Sequence, residues 1–274
     1  MRVDSLPSAS PLVDGTLHVL GGTVSHNGRI SWVPRGSAGF AALNAFVIVD
    51  GNHGLVIDTT LPVFGEALVQ QLKSLGVEQV TILLTRPVEF DSMGNAELLV
   101  RNFTVKRVYS ELMFPPQDWV AFRDETPLPE FEALVYRKGS ELEVIPGHTL
   151  SLIDARLKLL ACVWVFDSAT KTLFTSDSFS HVLAPKPGMQ IVTEESDRTT
   201  PDEVMNHFME KFDWLQGANT APLRSFLRDV FTTYDVEAIA PTVGCVIKGR
   251  NLVKRHYDMV DDALRQLGEK ENVA

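Results

Sequence analysis

One short segment holds the residue types of a serine hydrolase. Ser176, Asp177, Ser178 and His181 follow one another directly after a predicted strand. The members of a catalytic triad, however, converge from separate elements, and the serine usually stands on a sharp strand-to-helix turn. This segment has no such turn. The chemistry of these side chains must therefore depend on what other elements bring to them.

Other common chemical signals are missing from the sequence. The two cysteines, Cys162 and Cys245, lie far apart without a C-x-x-C pair. This spacing argues against a disulfide framework or a thiolate metal site, and it fits a reducing cytoplasm. There is no G-x-G-x-x-G after a strand and no Walker loop, so a dinucleotide site is unsupported. Cys245 is expected to be an inert buried thiol.

The charge and composition limit the partners and the location. The 274 residues carry a formal net charge of −10, and 45% of them are hydrophobic. Nucleic acids and anionic membranes are excluded as partners, because phosphate binding needs clustered Lys and Arg. No run approaches the roughly 18 apolar residues of a membrane span, and the first residues lack the apolar core of a signal peptide. A cytoplasmic globular protein is predicted.

Hydrophobic periodicity predicts the elements that must position these residues. Strand–helix–strand alternation, followed by short strands and further helices, predicts one α/β domain over residues 1–274, a four-layer α/β/β/α sandwich. Residues 1–15 are predicted to be an irregular lead-in. The predicted strands are residues 16–20, 43–49, 55–58, 80–84, 105–109, 133–136, 142–145, 149–153, 161–166, 172–175 and 237–240. The predicted helices are residues 64–75, 94–102, 202–215, 222–233 and 252–267.

Three segments, in the same order along the chain, resemble the metallo-β-lactamase fold. Residues 44–50 (NAFVIVD) and 54–59 (GLVIDT) look like its opening hairpin. Residues 82–95 (ILLTRPVEFDSMGN) resemble its metal-binding loop, and residues 173–179 (LFTSDSF) resemble the later strand whose terminal aspartate bridges two metals. The resemblance covers most of the chain and implies the same four-layer fold.

Within this superfamily the chain is most similar to the oxygen-binding diiron domain of flavodiiron proteins. The metal-binding loop of that family reads H-x-E-x-D-H, and Glu89 and Asp91 occupy its glutamate and aspartate places. Residues 239–244 (IAPTVG) and 138–142 (KGSEL) resemble two further family segments. The sequence continues for only a few residues after the closing helix, so no flavodoxin-like domain is expected.

The resemblance also implies four histidine ligands, and all four are replaced. The matching positions hold Pro87, Ser92, Lys158 and Val243. Three carboxylate ligands remain, namely Glu89, Asp91 and Asp177. Iron in such sites needs imidazole together with carboxylate, so the diiron centre is predicted to be lost and no cofactor is expected.

Carboxylates that converge without a metal repel one another, so a cation is expected among them. On the family alignment Lys158 would enter the cluster, and it is predicted to pair with Asp177 or Glu89. Arg86, from the loop itself, is the second candidate for this cation. Such a site would be neutralised by a side chain where a metal once stood.

Two histidines leave a metal-dependent alternative open. His148 stands in the phrase Pro-Gly-His-Thr, which resembles a ligand segment of the superfamily's hydrolases, and His181 closely follows Asp177. One iron or zinc ion held by Glu89, Asp91, Asp177 and either His181 or His148 would make the chain a hydrolase or an oxygen- or NO-reactive oxidoreductase. Otherwise His148 is a turn residue between strands.

The leading interpretation is a degenerate flavodiiron-like domain that binds a small molecule, acts as a sensor or contacts a protein partner. A third interpretation is a structural module that forms a homodimer within a larger assembly. Whether the protein is an enzyme stays open, and no catalytic residue is assigned. The predicted pocket comprises Arg86, Glu89, Asp91, Ser92, Lys158, Asp177, His181 and Val243.

Overall fold

Two seven-stranded sheets form the centre of the computed structural model, which describes residues 8–26, 39–111 and 127–269. The strands of the first sheet are β1 (Ser10–Val13), β2 (Leu17–Ser25), β3 (Phe40–Asp50), β4 (His53–Ile57), β5 (Gln79–Leu83), β6 (Thr104–Ser110) and β7 (Glu132–Val135). The strands of the second sheet are β8 (Glu141–Ile145), β9 (His148–Asp154), β10 (Val163–Asp167), β11 (Thr172–Ser176), β12 (Ile191–Val192), β13 (Ala238–Pro241) and β14 (Val246–Lys248).

Helices cover the outer faces of both sheets. They are α1 (Gly65–Ser74), α2 (Phe90–Met93), α3 (Ala96–Asn102), α4 (Pro201–Lys211), α5 (Ala221–Thr233) and α6 (Arg250–Glu269). The buried side chains of α1 and α3 pack on the first sheet, and those of α4, α5 and α6 pack on the second. In the described part of the chain, none of these helices has the length and apolar character that crossing a bilayer requires.

The strand order explains where polar side chains can gather. The first sheet runs from β1 to β7 in sequence order, and the order of the second is β12-β14-β13-β11-β10-β9-β8. Strands β4 and β5 are parallel neighbours, and so are β11 and β13. Because parallel strands end at the same edge of a sheet, the loops that follow these four strands can meet there.

The shared core lies between the two sheets. Phe46 of β3 and Phe174 of β11 are fully buried there, with ring centroids 5.1 Å apart in an edge-to-face arrangement. Leu55 and Leu83 of the first sheet and Val163 and Val165 of the second complete the same cluster. The predicted α/β/β/α layering is confirmed.

Three short strands were not predicted from the sequence. Residues 10–13 form β1, which pairs antiparallel with β2, so residues 1–15 are not wholly an irregular lead-in. Two more unpredicted strands, β12 and β14, pair with each other at one edge of the second sheet. Such runs of two to four residues are too short to show an alternating pattern, and pairing with longer neighbours stabilises them.

Candidate functional site

The loop after β4 adopts an unusual backbone at the edge where the site forms. Asp58 and Thr60 both have left-handed φ angles, 57° and 54°. The buried Asp58 carboxylate accepts hydrogen bonds from the Thr85 backbone nitrogen at 2.8 Å, from Thr85 Oγ1 at 2.6 Å and from Ser92 Oγ. Burial raises the pKa of Asp58 to about 6, although these hydrogen bonds oppose the shift. Asp58 thus fixes the loop that follows β5.

Arg86, in that loop, joins the two sheets by an ion-pair bridge. Its Nη1 lies 2.5 Å from Asp177 Oδ2, and its Nη2 donates to Asp91 Oδ2. All three side chains are less than one-tenth exposed. Burial acts to lower the pKa of Arg86, but the charges of Asp91, Asp177 and Glu89 outweigh it and raise that pKa. The guanidinium is therefore permanently charged between two carboxylates.

Lys211, the last residue of α4, supplies a second buried cation. Its Nζ lies 3.1 Å from Asp177 Oδ2, and it donates hydrogen bonds to the Asp177 carbonyl oxygen at 2.5 Å and to Ser180 Oγ at 2.9 Å. Burial raises the pKa of Asp177, but the charges of Lys211 and then Arg86 prevail and lower it. The Asp177 carboxylate is ionised and doubly paired.

The four charges of this cluster balance one another. Arg86 and Lys211 bring two positive charges, and Asp91 and Asp177 bring two negative ones. Buried charges are tolerated when they are paired and hydrogen-bonded, and losing one partner leaves an expensive unpaired charge. We call these four residues the ion-pair cluster.

The ion-pair cluster does not fit a diiron centre. A metal would need the carboxylate oxygens that now face a guanidinium and an ammonium, and it would meet two buried positive charges. Within residues 8–26, 39–111 and 127–269, no three His, Cys, Asp or Glu side chains are arranged to hold a metal ion.

The cation predicted from the alignment is not the one beside Asp177. Lys158 lies 3.2 Å from Asp154 Oδ1, four residues earlier in the chain, and this is a local pair at the surface end of β9. The prediction that Lys158 pairs with Asp177 or Glu89 is therefore wrong. Arg86, the second candidate, occupies that place. The carboxylate of Asp154, the last residue of β9, lies within reach of Lys158. A gap-free alignment takes no account of such a local partner.

Other predicted pocket residues lie near the cluster in supporting positions. Ser92 Oγ accepts from the Arg86 backbone nitrogen at 3.2 Å. Glu89 is half-buried and precedes α2, where its charge helps to raise the pKa of Arg86. Val243 packs in a small apolar cluster with Leu43 and Phe64. Several of the predicted pocket residues thus contact one another or nearby residues through ion pairs, hydrogen bonds and apolar packing.

The two histidines considered as metal ligands are both engaged elsewhere. His148 Nδ1 lies 2.9 Å from Asp167 Oδ2, at the turn between β8 and β9. His181 Nε2 lies 2.9 Å from His256 Nδ1 of α6, and His256 Nε2 lies 3.2 Å from Asp197 Oδ2. His148 is the first residue of β9, directly after the turn in which the sequence placed it, and His181 belongs to a buried chain of hydrogen bonds that leads to Asp197.

A cavity of about 430 Å³ is lined by His181 and by none of the other sequence-predicted pocket residues. Besides His181 it is lined by His207 of α4, and Ser180 Oγ lies 3.2 Å from His207 Nε2. Burial and the Lys211 charge lower the pKa of His207 to about 3, and burial with the neighbouring His256 and His207 holds the pKa of His181 well below its usual value. Both imidazoles are neutral at pH 7.

Sequence reasoning missed Lys211, His207, His256 and Asp197. A signal was available for the first three, since they occupy helix positions whose neighbours at a spacing of three and four are buried. A lysine or histidine within an apolar stripe must find a buried partner. Asp197 gives no such signal, because it stands in an irregular segment.

Comparison with known proteins shows similarity in fold. No family model matches the sequence, and no curated protein matches it. Rubredoxin oxygen:oxidoreductase from Desulfovibrio gigas superposes on 94% of this chain with a TM-score of 0.68 and 16% identity. The flavodiiron protein from Giardia intestinalis superposes on 97% with a TM-score of 0.67 and 15% identity. The chain spans 62% and 61% of the lengths of these two proteins.

A third solved structure contains little beyond the part that matches this chain. The fragment 1–254 of a putative diflavin flavoprotein from Nostoc superposes on 96% of this chain, over 98% of its own length, with a TM-score of 0.63 and 16% identity. At these identities the similarity establishes the fold alone. The chain has the metallo-β-lactamase-like fold of flavodiiron cores, as the sequence resemblance predicted.

Proposed function

We propose that this chain is a degenerate flavodiiron-like domain in which the ion-pair cluster has replaced the diiron centre, and which functions by binding a small molecule. The observation that carries the proposal is the position of Arg86, with its guanidinium between Asp91 and Asp177. A positive side chain that is permanently charged there does electrostatically what a metal ion would do, and it cannot dissociate.

Two neighbouring features support the loss of metal chemistry. Lys211 adds a second positive charge on Asp177 Oδ2, which makes the entry of a dication still less favourable. Val243, at a position where the resemblance implies a histidine ligand, packs against Leu43 and Phe64 and offers no donor atom. The donor set suits a permanent ion-pair cluster better than a redox metal.

The cavity beside His181 supports a binding role. The cavity beside His181 holds about 430 Å³, within the roughly 300–1,000 Å³ of small-molecule sites. Its lining combines the imidazoles of His181 and His207 with apolar side chains such as Leu183 and with polar and charged ones such as Asp197, which suits recognition of a small molecule. A sensory or partner-binding role would build on the same cavity.

Elemental analysis tests the loss of the metal. The wild type and the Arg86→Ala variant are produced in medium supplemented with iron, zinc and manganese and are purified without chelator. We expect far less than one metal ion per wild-type chain. In Arg86→Ala the paired carboxylates lose their bridge, so added Zn²⁺ or Mn²⁺ should raise the melting temperature of this variant and leave the wild type unchanged.

Arg107→Ala is the matched control, since Arg107 is an exposed arginine paired with Glu132 on the surface. It should respond to metals as the wild type does. Near-stoichiometric iron, zinc or manganese in the wild type would overturn the proposal. That result would favour a metal-dependent hydrolase or an oxygen- or NO-reactive oxidoreductase using Glu89, Asp91, Asp177 and a histidine.

A further inference from the structure

A surface pocket of about 500 Å³ is formed where α5 ends and α6 begins. It shares no lining residue with the cavity beside His181 or with the ion-pair cluster. Its volume falls within the roughly 300–1,000 Å³ of small-molecule sites. The pocket can therefore hold a ligand of its own.

Two contacts between α5 and α6 fix which side chains meet in this pocket. The Arg224 guanidinium donates two hydrogen bonds of 2.8 Å to the Asp261 carboxylate, and the ring centroids of Phe231 and Tyr257 lie 5.0 Å apart. The two helices therefore run antiparallel. Arg228 stands one turn after Arg224, and both Arg228 and Tyr257 line the pocket. The guanidinium of Arg228 thus lies beside an aromatic surface.

That aromatic surface is partly open to solvent. Phe231, Tyr234 and Tyr257 line the pocket, and each of these side chains is only half-buried. The buried side chains of Val236 and Val253 complete the apolar part of the lining. Aromatic rings pack well against other rings, in offset or edge-to-face arrangements. The pocket therefore offers a planar ligand a surface to pack on.

The acidic residue in the lining already has its countercharges. Among the described residues that line the pocket, Asp235 is acidic, and Arg228, Arg250 and Lys254 are basic. Asp235 Oδ2 lies 2.8 Å from Arg250 Nη2 and 2.9 Å from Lys171 Nζ. Arg250 is itself shared between Asp235 and Glu237. These paired charges largely cancel.

The other two basic residues leave a local excess of positive charge. Lys254 pairs only with Asp258, at 2.5 Å, and both side chains are more than half exposed, so water and salt weaken this pair. Arg228 is exposed and makes no side-chain hydrogen bond or ion pair within the part of the chain that the structure describes. A guanidinium can bind a carboxylate through two parallel hydrogen bonds. Arg228 therefore has its fork of donors free for an anion.

We propose that this pocket binds a small aromatic carboxylate, whose ring packs against Phe231 and Tyr257 and whose carboxylate is held by Arg228. Lys254 adds a second, weaker attraction for the same negative charge. The proposal goes beyond the function proposed above and does not depend on it. A metal in the ion-pair cluster would overturn that function and leave the test of this pocket unaffected.

Three naphthalene compounds of similar size test the ligand class in the full chain. The probes are 2-naphthoate, which is an anion, 2-naphthamide, which is neutral, and 2-naphthylmethylammonium, which is a cation. Calorimetry at about 20 mM salt should show that 2-naphthoate binds roughly five- to tenfold more tightly than 2-naphthamide, the worth of a hydrogen bond to a charged group at an exposed site. Most of this advantage should disappear at about 500 mM salt, because salt screens exposed charges.

The location of binding is measured by NMR on ¹⁵N-labelled protein. Addition of 2-naphthoate should shift amide resonances in residues 228–236 and 250–257. Absence of binding, equal affinity for 2-naphthoate and 2-naphthamide, tighter binding of 2-naphthylmethylammonium, or shifts confined to other residues would each overturn the proposal.

Variants of Arg228 separate its charge from its shape. Because Arg228 is exposed, these changes should leave the melting temperature unchanged. Arg228→Gln should abolish the preference for 2-naphthoate over 2-naphthamide, and Arg228→Lys should retain part of it, since an ammonium keeps the charge without the fork. Arg107→Gln, at an exposed arginine outside the pocket, is the matched control and should bind as the wild type does. An unchanged preference in Arg228→Gln would overturn the role of this residue.

Phe231→Leu tests the aromatic surface. Leucine keeps an apolar side chain and removes one ring, so 2-naphthoate and 2-naphthamide should lose affinity by the same factor, roughly two- to tenfold. The ratio of the two affinities should stay at its wild-type value, because Arg228 is intact. This ratio is measured within one variant, so it remains informative if the variant is less stable. A changed ratio with unchanged affinity for 2-naphthamide would show that the ring does not pack against Phe231.

Discussion

Arg86 shows how one side chain can replace a metal ion electrostatically. A guanidinium offers donors in a fixed planar fork, so two of its nitrogens can face two different carboxylates at once. Its Nη1 and Nη2 do this with Asp177 and Asp91. An ammonium is a point charge without that fork, and Lys211 accordingly joins Asp177 alone among the carboxylates of the cluster. The pairing pattern thus follows from the shapes of the two cations.

His207 should make the stability of the protein depend on pH. Its pKa is about 3 in the folded state against about 6.5 when unfolded, so the unfolded state binds more protons between these values. The free energy of unfolding should therefore fall as the pH decreases from 7 to 5, by about 2 kcal/mol from this one residue. Urea denaturation at the two pH values measures the loss, and His207→Gln should remove about that part of it.

The raised pKa of Asp58 acts in the opposite sense between about pH 4 and 6, because there the folded state holds the extra proton. The difference between wild type and His207→Gln cancels this contribution. His53→Gln is the matched control. His53 is only half-buried, and burial lowers its pKa by less than that of His207, so this variant should keep most of the pH dependence. If His207→Gln kept the full pH dependence of the wild type, His207 would not be a buried neutral imidazole.

At the scale of elements, the helices and longer strands were predictable, and the partners of individual side chains were not. The period of the apolar residues places α4 and α6 to within a few residues, because packing an apolar stripe on a sheet dictates that period. It does not say which strand end faces Lys211 or His256. Which strand end these side chains face depends on how two sheets and three helices pack. An alignment contains no information about that packing, and it therefore placed Lys158 in the cluster.

The start of α4 is a second element-scale feature with a direct test. Thr200 Oγ1 accepts from the Glu203 backbone nitrogen at 3.3 Å, and the Thr200 backbone nitrogen donates to Glu203 Oε2 at 2.8 Å, which completes a capping box. Thr200→Ala should lower the free energy of unfolding by about 1 kcal/mol. Amides in the first turn of α4 should also exchange faster with solvent, since the cap that satisfies them is lost.

Thr232→Ala provides the comparison for this effect. Thr232 is exposed near the end of α5, and alanine is the better helix former, so this change should leave stability equal or slightly higher. Equal stability of Thr200→Ala and the wild type in urea would mean that the capping box contributes nothing.

At the scale of the whole molecule, the ion-pair cluster and the core tie the two sheets together. Arg86 follows a strand of the first sheet, and Asp177 follows a strand of the second. Beneath them Phe46 and Phe174 pack across the interface between the sheets. Neither sheet can bury its inner face without the other, so the two should unfold in one cooperative step.

Phe174→Ala tests this cooperativity. Truncating a fully buried phenylalanine should cost about 3–5 kcal/mol, through lost burial and the cavity left behind. Native-state hydrogen exchange should show the same loss of protection at amides of β3 and of β10, which belong to different sheets, because both become exposed only in global unfolding. Trp214→Ala, at a side chain that is 53% exposed, should cost far less. Loss of protection in the second sheet alone would show instead that the halves unfold separately, and the ion-pair cluster would then bridge two independent units.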